Sequence, residues 1–169
     1  PRGYLQRLRE ICDRHGLLLV FDEVITGFGR LGAMFAAQAL GVVPDMIVFA
    51  KTVSNGAAPL GGVIVKRELH DALMHGPPHL AELMHGYTCS GHPLACAMLD
   101  VLDKEHLPQR VRELAPRFES IVHALADAPG VVSIRNIGLA AGIELAPDAA
   151  GPGLRGARAQ AAAFDHGVL

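Results

Sequence analysis

Residues 17–32, LLLVFDEVITGFGRLG, and residues 46–56, MIVFAKTVSNG, share one feature: a short apolar run that ends at a charged residue. Runs that are apolar on both faces are typical of strands inside a parallel sheet that is covered on both sides. A lysine rarely enters such a run unless its amine is paired or used. The position of Lys51 directly after MIVFA therefore indicates a specific role for this amine.

The segments around these two stretches alternate between helix and strand, which predicts an α/β layered fold. Buried strands are predicted at 17–21, 46–50 and 61–65. Helices are predicted before Gly16, at 35–41 and 67–74, from near Pro93, and around 111–125. A long loop rich in Gly, Pro and His is predicted over 74–92, and long loops inside a compact domain tend to be functional.

The pattern changes in the last third of the chain. Residues 131–145, VVSIRNIGLAAGIEL, form two strand-like halves around Gly138 and predict a hairpin, and a final helix is predicted at 156–167. This change predicts two domains: residues 1–105 as part of a large domain with a mixed or parallel sheet, and residues 106–169 as the start of a smaller, truncated α+β domain. The chain begins with proline inside an amphipathic pattern, so we expect it to be a piece of a larger protein.

Composition and charge exclude several classes of function. The 169 residues are 50% hydrophobic and 19% charged, with a net charge of −2 and no basic block, which gives no case for nucleic acid or an anionic membrane. The apolar runs are far shorter than the ~20 residues of a membrane helix. The start of the chain lacks the pattern of a signal peptide.

The three cysteines, Cys12, Cys89 and Cys96, match neither a disulfide framework nor a metal site. We expect all three to be buried or half-buried free thiols. Free thiols suit a reducing compartment, so the sequence predicts a cytoplasmic protein.

Asp22 and Lys51 each follow a predicted strand directly. In open α/β sheets the carboxyl ends of the strands border the ligand crevice. If the two strands are parallel neighbours, the carboxylate and the amine reach the same crevice. Pyridoxal phosphate needs a lysine that bonds to its aldehyde carbon and an acid beside its pyridine nitrogen. The pair therefore predicts a pyridoxal-phosphate site.

Neighbouring residues extend this prediction. Glu23 is adjacent to Asp22, and because successive strand residues point to opposite faces, only one of them should face the cofactor. We choose Asp22, because Val24 then shares its face and packs on the flat ring. The phosphate needs N–H groups and hydroxyls near the start of a helix, which Thr88 and Ser90 supply.

Each of these residues alone has a plainer interpretation. Asp22 alone is more often a strand-end cap or an ion-pair partner, and Lys51 alone a solvated loop charge. Thr88 and Ser90 alone are helix-capping residues, and His85 and His92 are more often structural than catalytic. The prediction depends on the combination.

The combined motifs resemble those of a known family. Residues 17–65, from LLLVFDEV to GGVIV, resemble the signature of the class III (omega) aminotransferases, which are fold-type I pyridoxal-phosphate enzymes. HGYTCSGHPLACA (85–97) and IRNIGLAAGIELAP (134–147) are most similar to the branch that uses β-alanine or other omega-amino acids with pyruvate. The resemblance covers nearly the whole chain.

The resemblance implies a role for four residues. Lys51 matches the lysine that binds the cofactor, Asp22 the aspartate at the pyridine nitrogen, and Val24 the residue packed on the ring. Thr88 matches the threonine that reaches the phosphate of the neighbouring subunit, which implies a homodimer or higher oligomer with shared active sites. The family's glycine–serine phosphate cup and its carboxylate-binding arginine have no counterpart in this chain.

The resemblance implies a pyridoxal-phosphate-dependent transaminase that moves an amino group from a small-molecule amine donor, such as β-alanine, to a keto-acid acceptor such as pyruvate. Another class III member, acting on 4-aminobutyrate, acetylornithine or a diamino acid, is the alternative, as is a non-catalytic fragment. A nicotinamide-binding domain fits less well, because no glycine-rich turn follows LLLVF at the required spacing.

Overall fold

A computed structural model of the chain describes residues 2–77, 79, 86–88 and 90–168. The residues divide into two compact units, Pro1–Glu113 and Leu114–Leu169. The predicted domain boundary after residue 105 stays a prediction. Within the predicted loop, residues 78, 80–85 and 89 lie outside the described residues, and these include His85 and Cys89.

The first unit contains a three-stranded mixed sheet. Its strands are β1 (Val20–Asp22), β2 (Met46–Phe49) and β3 (Gly62–Val65), in the order β1-β2-β3. β1 pairs with β2 in parallel, with Asp22 opposite Val48, and β2 pairs with β3 in the antiparallel sense. A tight turn, Lys51–Val53, follows β2.

Four helices lie wholly within this unit, and a fifth begins in it. They are α1 (Tyr4–His15), α2 (Ala36–Leu40), α3 (Arg67–Met74), α4 (Pro93–Lys104) and α5 (Leu107–His123). The predicted glycine stop of α1 is confirmed: Gly16 adopts a left-handed φ of 63° and donates its N–H to the end of the helix. Pro93 is the first residue of α4, as predicted, because a helix needs no N–H there.

The apolar strands are less buried than the sequence predicted. Leu17 and Leu18 precede β1 instead of belonging to it, and both are exposed. Val20 in β1 and Val63 and Ile64 in β3 are exposed as well. The prediction of three fully buried strands is therefore wrong for this chain. β1 and β3 each have one strand neighbour, so each leaves one side unpaired within the described sheet.

Two small apolar clusters form the core of the first unit. In one, Cys12 of α1 packs with Leu19 and Val42. In the other, Phe28, Val53 and Leu102 pack together, and the Phe28 ring lies 5.2 Å from the rings of both Phe35 and Phe49. This second cluster lies under the loop that follows β1 and the turn that follows β2.

Asp45 forms a polar centre beside the first cluster. Its carboxylate accepts hydrogen bonds at 2.7 Å from the Arg9 guanidinium, the Lys66 ammonium and the Leu19 N–H. Burial opposes ionisation of this carboxyl, but the Leu19 N–H and the two cations outweigh it and hold the pKa of Asp45 well below its usual range. One side chain thus ties α1, the start of β1 and the end of β3 together.

The second unit contains the predicted hairpin and final helix. β4 (Val131–Ile137) and β5 (Ala140–Leu145) pair in the antiparallel sense, and Gly138 in the turn has a φ of 55°. The last helix, α6, spans Leu154–Asp165. The hairpin around Gly138 is therefore confirmed.

The cysteine prediction is confirmed in part. Cys12 is a buried free thiol, but Cys96 is a free thiol with an exposed side chain, so its predicted burial is wrong. Cys96 lies on the outward side of α4, next to the buried Ala95. Among the described residues, no helix is both long and apolar enough to cross a membrane.

Candidate active site

The carboxyl ends of β1 and β2 bring the two predicted site residues to one edge of the sheet. Asp22 is the last residue of β1, and Lys51 follows the last residue of β2, Phe49, by two positions. The strands are parallel neighbours, which is the condition on which the sequence argument depended. An exposed carboxylate and an exposed amine therefore lie at the same edge of the sheet, where β1 and β2 end.

Lys51 has an unusual backbone conformation. Its φ is 51°, in the left-handed region that side chains other than glycine rarely adopt, at a cost of roughly 1–3 kcal/mol. The residues that follow hold it there. Val53 is 1% exposed in the Phe28 cluster, and Ser54 donates its N–H to the Lys51 carbonyl and its hydroxyl to the Ala58 carbonyl. Strain of this kind is common at functional sites.

The Lys51 amine differs from the other lysine amines of the chain. Lys66 is ion-paired with Asp45 at 2.7 Å, and Lys104 lies 3.9 Å from Asp100. Within the described part of the chain, neither a hydrogen bond nor an ion pair involves the Lys51 amine. An unpaired amine at a strand end is available to react with a bound aldehyde.

Asp22 is oriented by the backbone that follows it. The Val24 N–H donates a hydrogen bond of 3.1 Å to Asp22 Oδ1, which fixes one carboxylate oxygen. Val24 itself is half-buried, so its side chain is partly available to a ligand in the crevice.

Glu23 points away from the crevice into the protein. It is 2% exposed, and its carboxylate accepts hydrogen bonds from the Ala36 and Ala37 N–H groups at the start of α2 and from the Thr26 hydroxyl. Asp22 and Glu23 therefore lie in opposite environments, as the strand alternation predicts. This buried role of Glu23 was not predicted from the sequence. The sequence signal that could have predicted it is Phe35, which precedes α2 and has no side-chain acceptor for the N–H groups at the start of the helix.

The glycine-rich loop after Asp22 packs against the start of α5. A Cβ atom on Gly29 would lie 3.6 Å from Pro108, and one on Gly32 only 2.6 Å from the Arg112 side chain. Arg112 also donates a hydrogen bond to the Gly32 carbonyl. A side chain at position 32 would therefore displace Arg112, so glycine at this position allows the close contact between the loop and the helix.

Thr88 lies in a turn ahead of α4. The Tyr87 N–H donates to Ser90 Oγ at 3.0 Å, the Ser90 N–H donates to the Tyr87 carbonyl at 2.9 Å, and Thr88 is exposed. The residue that caps α4 is His92, so the capping interpretation of Thr88 and Ser90 does not apply. Among the described residues, no hydrogen bond joins Thr88 to Asp22 or Lys51.

A pocket of about 380 Å³ lies at the opposite end of the strands. It is lined by residues of α2 and of the ends of β2 and β3, including Met46, Ile47 and Val65. Its charged residues, Asp45 and Lys66, are paired with each other. A mostly apolar pocket whose charged side chains are already paired offers no reactive group, so the candidate site is the edge that carries Asp22 and Lys51.

The comparison with known families identifies the chain. The family model for class-III aminotransferases matches residues 1–169. The chain belongs to the class-III aminotransferase family. The α/β fold that the resemblance implied is confirmed, because solved transaminases superpose on this class-III aminotransferase chain. An omega-transaminase from Thermomicrobium roseum superposes with a TM-score of 0.78 at 38% identity, over 89% of this chain and 34% of that one.

Named relatives of this class-III aminotransferase chain include two enzymes from Pseudomonas. The chain is 52% identical over 161 residues to the beta-alanine–pyruvate aminotransferase of Pseudomonas aeruginosa, covering 92% of this chain and 36% of the relative. It is 52% identical over 153 residues to the omega-amino acid–pyruvate aminotransferase of Pseudomonas putida, covering 87% of this chain and 34% of the relative. The class-III aminotransferase chain thus spans little more than a third of the length of these relatives.

The solved neighbours also show a cofactor. An amine transaminase from an uncultivated Pseudomonas species, with a TM-score of 0.79 at 39% identity over 88% of this chain and 34% of that one, is described in its PLP-bound form. The residues of the present site fit that group by their chemistry. Lys51 offers an unpaired amine, and Asp22 an exposed carboxylate, from neighbouring strands.

Proposed function

We propose that the protein containing this chain is a pyridoxal-phosphate-dependent transaminase that moves an amino group from an omega-amino acid or amine, such as β-alanine, to a keto acid such as pyruvate. The observation that carries the proposal is the placement of Asp22 and Lys51 at the carboxyl ends of two neighbouring parallel strands. The two Pseudomonas relatives named for omega-amino acids and pyruvate support the substrate class.

Two side chains carry the chemistry in this proposal. When bound, pyridoxal phosphate acts as an electron sink for the substrate carbon that loses its proton. Lys51 would hold the cofactor through its amine, and the same amine would act as general base and acid at the substrate carbon that loses its proton. Asp22 keeps the pyridine nitrogen protonated through its negative charge. The Val24 N–H holds the Asp22 carboxylate in position, at 3.1 Å.

Two further residues bind without taking part in proton transfer. Val24 packs against the flat face of the ring. Thr88 contacts the cofactor phosphate of a partner subunit through its hydroxyl, so the protein is a homodimer or higher oligomer with shared active sites. The exposed position of Thr88 in a turn before α4 leaves its hydroxyl open to such a contact. Sedimentation of the active enzyme tests this, and a fully active monomer would exclude it. We also place the protein in the cytoplasm.

Chemical labelling tests the assignment of Lys51. The chain has three lysines, Lys51, Lys66 and Lys104. Borohydride reduction of the complete protein with bound pyridoxal phosphate, followed by peptide mapping, is expected to place the pyridoxyl group on Lys51. The ion pair of Lys66 with Asp45 makes Lys66 a poor competitor and a useful internal control. A label on Lys66 or Lys104 would contradict the assignment.

Another class III activity is the second candidate. The chain is 37% identical over 150 residues to a rice protein named as a mitochondrial gamma-aminobutyrate transaminase, a lower value than for the Pseudomonas relatives. A substrate panel with the same enzyme decides between them. We expect higher turnover with β-alanine and pyruvate than with 4-aminobutyrate, acetylornithine or a diamino acid. The reverse order would favour the alternative.

A further inference from the structure

Glu23 is a buried carboxylate that the proposed mechanism does not use. It is 2% exposed, and a buried charge persists in a protein only where hydrogen bonds or opposite charges compensate for lost solvation. Among the described residues no cation pairs with it. Its compensation comes from neutral donors, which are the Ala36 and Ala37 N–H groups and the Thr26 hydroxyl.

These donors lie on both sides of the loop that follows Asp22. Thr26 is three residues beyond Glu23, whereas Ala36 and Ala37 open α2 thirteen and fourteen residues beyond it. The Glu23 side chain therefore closes the loop across its base, with Glu23 Oε1 2.8 Å from the Ala37 nitrogen. The two N–H groups also lack an acceptor from Phe35 at the helix start, so Glu23 satisfies donors that would otherwise be buried and unpaired.

The backbone of Glu23 is fixed as firmly as its side chain. Its N–H donates to the Val48 carbonyl of β2 at 2.8 Å, and its carbonyl accepts the Gly27 N–H at 2.9 Å. A Cβ atom on Gly27 would lie 2.9 Å from that carbonyl oxygen, so only glycine allows the turn to close this tightly.

The fixed turn determines where the Asp22 carboxylate points. Val24 lies inside the turn that runs from Glu23 to Gly27, and its N–H holds Asp22 Oδ1 at 3.1 Å. If the turn loosens, this donor moves and the carboxylate gains rotational freedom. Movement of a catalytic group by about 1 Å can cost on the order of 100-fold in rate.

We propose that Glu23 is a positioning residue for Asp22: by binding the start of α2 and Thr26, it holds the turn whose Val24 N–H orients the Asp22 carboxylate. The inference rests on the proposed function, because Asp22 matters for the rate only if it faces a cofactor. Glu23 itself touches neither cofactor nor substrate in this scheme, and it acts through Asp22.

A double-mutant cycle in the complete protein tests this coupling. The variants are Glu23→Gln, Asp22→Asn and the double variant, each compared with the unchanged protein. Glu23→Gln keeps the size of the side chain but replaces one carboxylate oxygen with an NH₂ group. An NH₂ group cannot accept a hydrogen bond, so one of the two N–H groups at the start of α2 loses its acceptor. We expect Glu23→Gln to lower kcat roughly 10-fold or more. In the double variant kcat should be close to that of Asp22→Asn alone, because Glu23 has nothing left to position.

A second readout separates positioning from a purely structural role. The ¹⁵N chemical shift of labelled pyridoxal phosphate reports the protonation of the cofactor's ring nitrogen in each variant. In Glu23→Gln this shift should move toward its value in Asp22→Asn. Val42→Ala, which removes two methyl groups from the separate Cys12 cluster, is the control for lost stability. It should lower Tm without changing the ¹⁵N shift or kcat.

The outcomes distinguish the two proposals. If the unchanged protein binds no pyridoxal phosphate, the proposed function fails and the role of Glu23 fails with it. Two results with an active, unchanged transaminase would overturn only the positioning role. One is a double variant in which the two losses of kcat multiply. The other is a ¹⁵N shift in Glu23→Gln equal to that in Val42→Ala. A Glu23→Gln variant too unstable to purify is replaced by Thr26→Val, which removes one of the donors and should show the same pattern at smaller amplitude.

Discussion

Single residues of one type have different tasks in this chain according to their surroundings. Lys66 and Lys51 both follow a strand, but the Lys66 amine lies 2.7 Å from the buried Asp45, whereas the Lys51 amine is exposed on a left-handed residue. The adjacent carboxylates Asp22 and Glu23 divide in the same way, one exposed and one buried. Surroundings, more than residue type, separate the groups that stabilise the fold from the groups that are available for chemistry.

Replacement of Asp22 by asparagine should affect the rate more than cofactor binding. The charge beside the ring nitrogen matters most when the substrate carbon loses its proton, so its removal acts on the transition state. A charge-assisted hydrogen bond contributes roughly 1.5–3 kcal/mol, so we expect kcat to fall by about one to two decades. Steady-state kinetics at saturating pyridoxal phosphate measure this, and normal turnover would show that Asp22 is structural.

At the scale of elements, the Asp45 carboxylate fixes the relative position of helix and sheet in the first unit. Arg9 belongs to α1, Leu19 immediately precedes β1, and Lys66 immediately follows β3. All three donate to one carboxylate that is largely buried, so the loss of Asp45 would leave the Lys66 ammonium and the Leu19 N–H without this acceptor and Arg9 with Asp13 alone. A centre of this kind holds elements in register without contributing to chemistry.

Replacement of Asp45 by asparagine should destabilise the protein in a pH-dependent manner. Because the pKa of Asp45 is lower in the folded state than in the unfolded chain, its stabilisation is fully present above the unfolded pKa of about 3.9 and is lost as pH falls through the folded pKa. We expect the free energy of unfolding to fall by an amount on the order of 2–3 kcal/mol at pH 7, because the ion pairs of Asp45 with Arg9 and Lys66 are only partly screened by solvent. Urea unfolding from pH 8 to pH 3 measures it.

Asp13→Asn is the matched control for this experiment. Asp13 also binds Arg9 at 2.7 Å, but its side chain is 66% exposed, whereas that of Asp45 is 11% exposed. Exposed ion pairs contribute roughly 0–1 kcal/mol, so the control should change stability little. Equal losses from both variants, or a difference between the unchanged protein and Asp45→Asn that grows toward pH 3, would contradict the assignment.

At the scale of the whole molecule, the sheet exposes apolar residues on both of its edge strands. Val20 of β1 is 47% exposed, and Val63 and Ile64 of β3 are 56% and 44% exposed. The unpaired side of each edge strand also presents N–H and C=O groups that can pair with another chain. The chain spans only 34–36% of the two Pseudomonas relatives, which contain more polypeptide to cover such surfaces.

Expression of residues 1–169 alone is therefore expected to yield a protein that aggregates and does not transaminate. The cofactor would meet Asp22, Val24 and Lys51, but the phosphate cup that the family resemblance implies has no counterpart in these residues. Solubility, the visible absorbance of added pyridoxal phosphate and turnover of β-alanine with pyruvate measure the outcome, with the complete protein and the Lys51→Ala chain as controls. A soluble chain whose absorbance and turnover require Lys51 would contradict the prediction.

The sequence by itself determined the α/β class, the hairpin around Gly138, the glycine end of α1 and the position of Asp22 and Lys51 at strand ends. Each of these depends on local features: apolar periodicity, a glycine with positive φ, or a charge directly after a short apolar run. The motifs also identified the family, because they occur together and in order. The roles assigned to Lys51, Asp22, Val24 and Thr88 stay predictions.

Only the tertiary structure decided how the strands pair, how far they are buried and what Glu23 does. The antiparallel direction of β3 and the exposure of β1 and β3 depend on which elements lie beside and above each strand. The apolar residues of a strand do not by themselves specify those neighbouring elements. Glu23 acquires its partners at Ala36 and Ala37, thirteen and fourteen residues away, where no periodicity links them. Hydrogen bonds between distant residues exist only once the loop has closed, and for this reason local patterns in the sequence did not predict them.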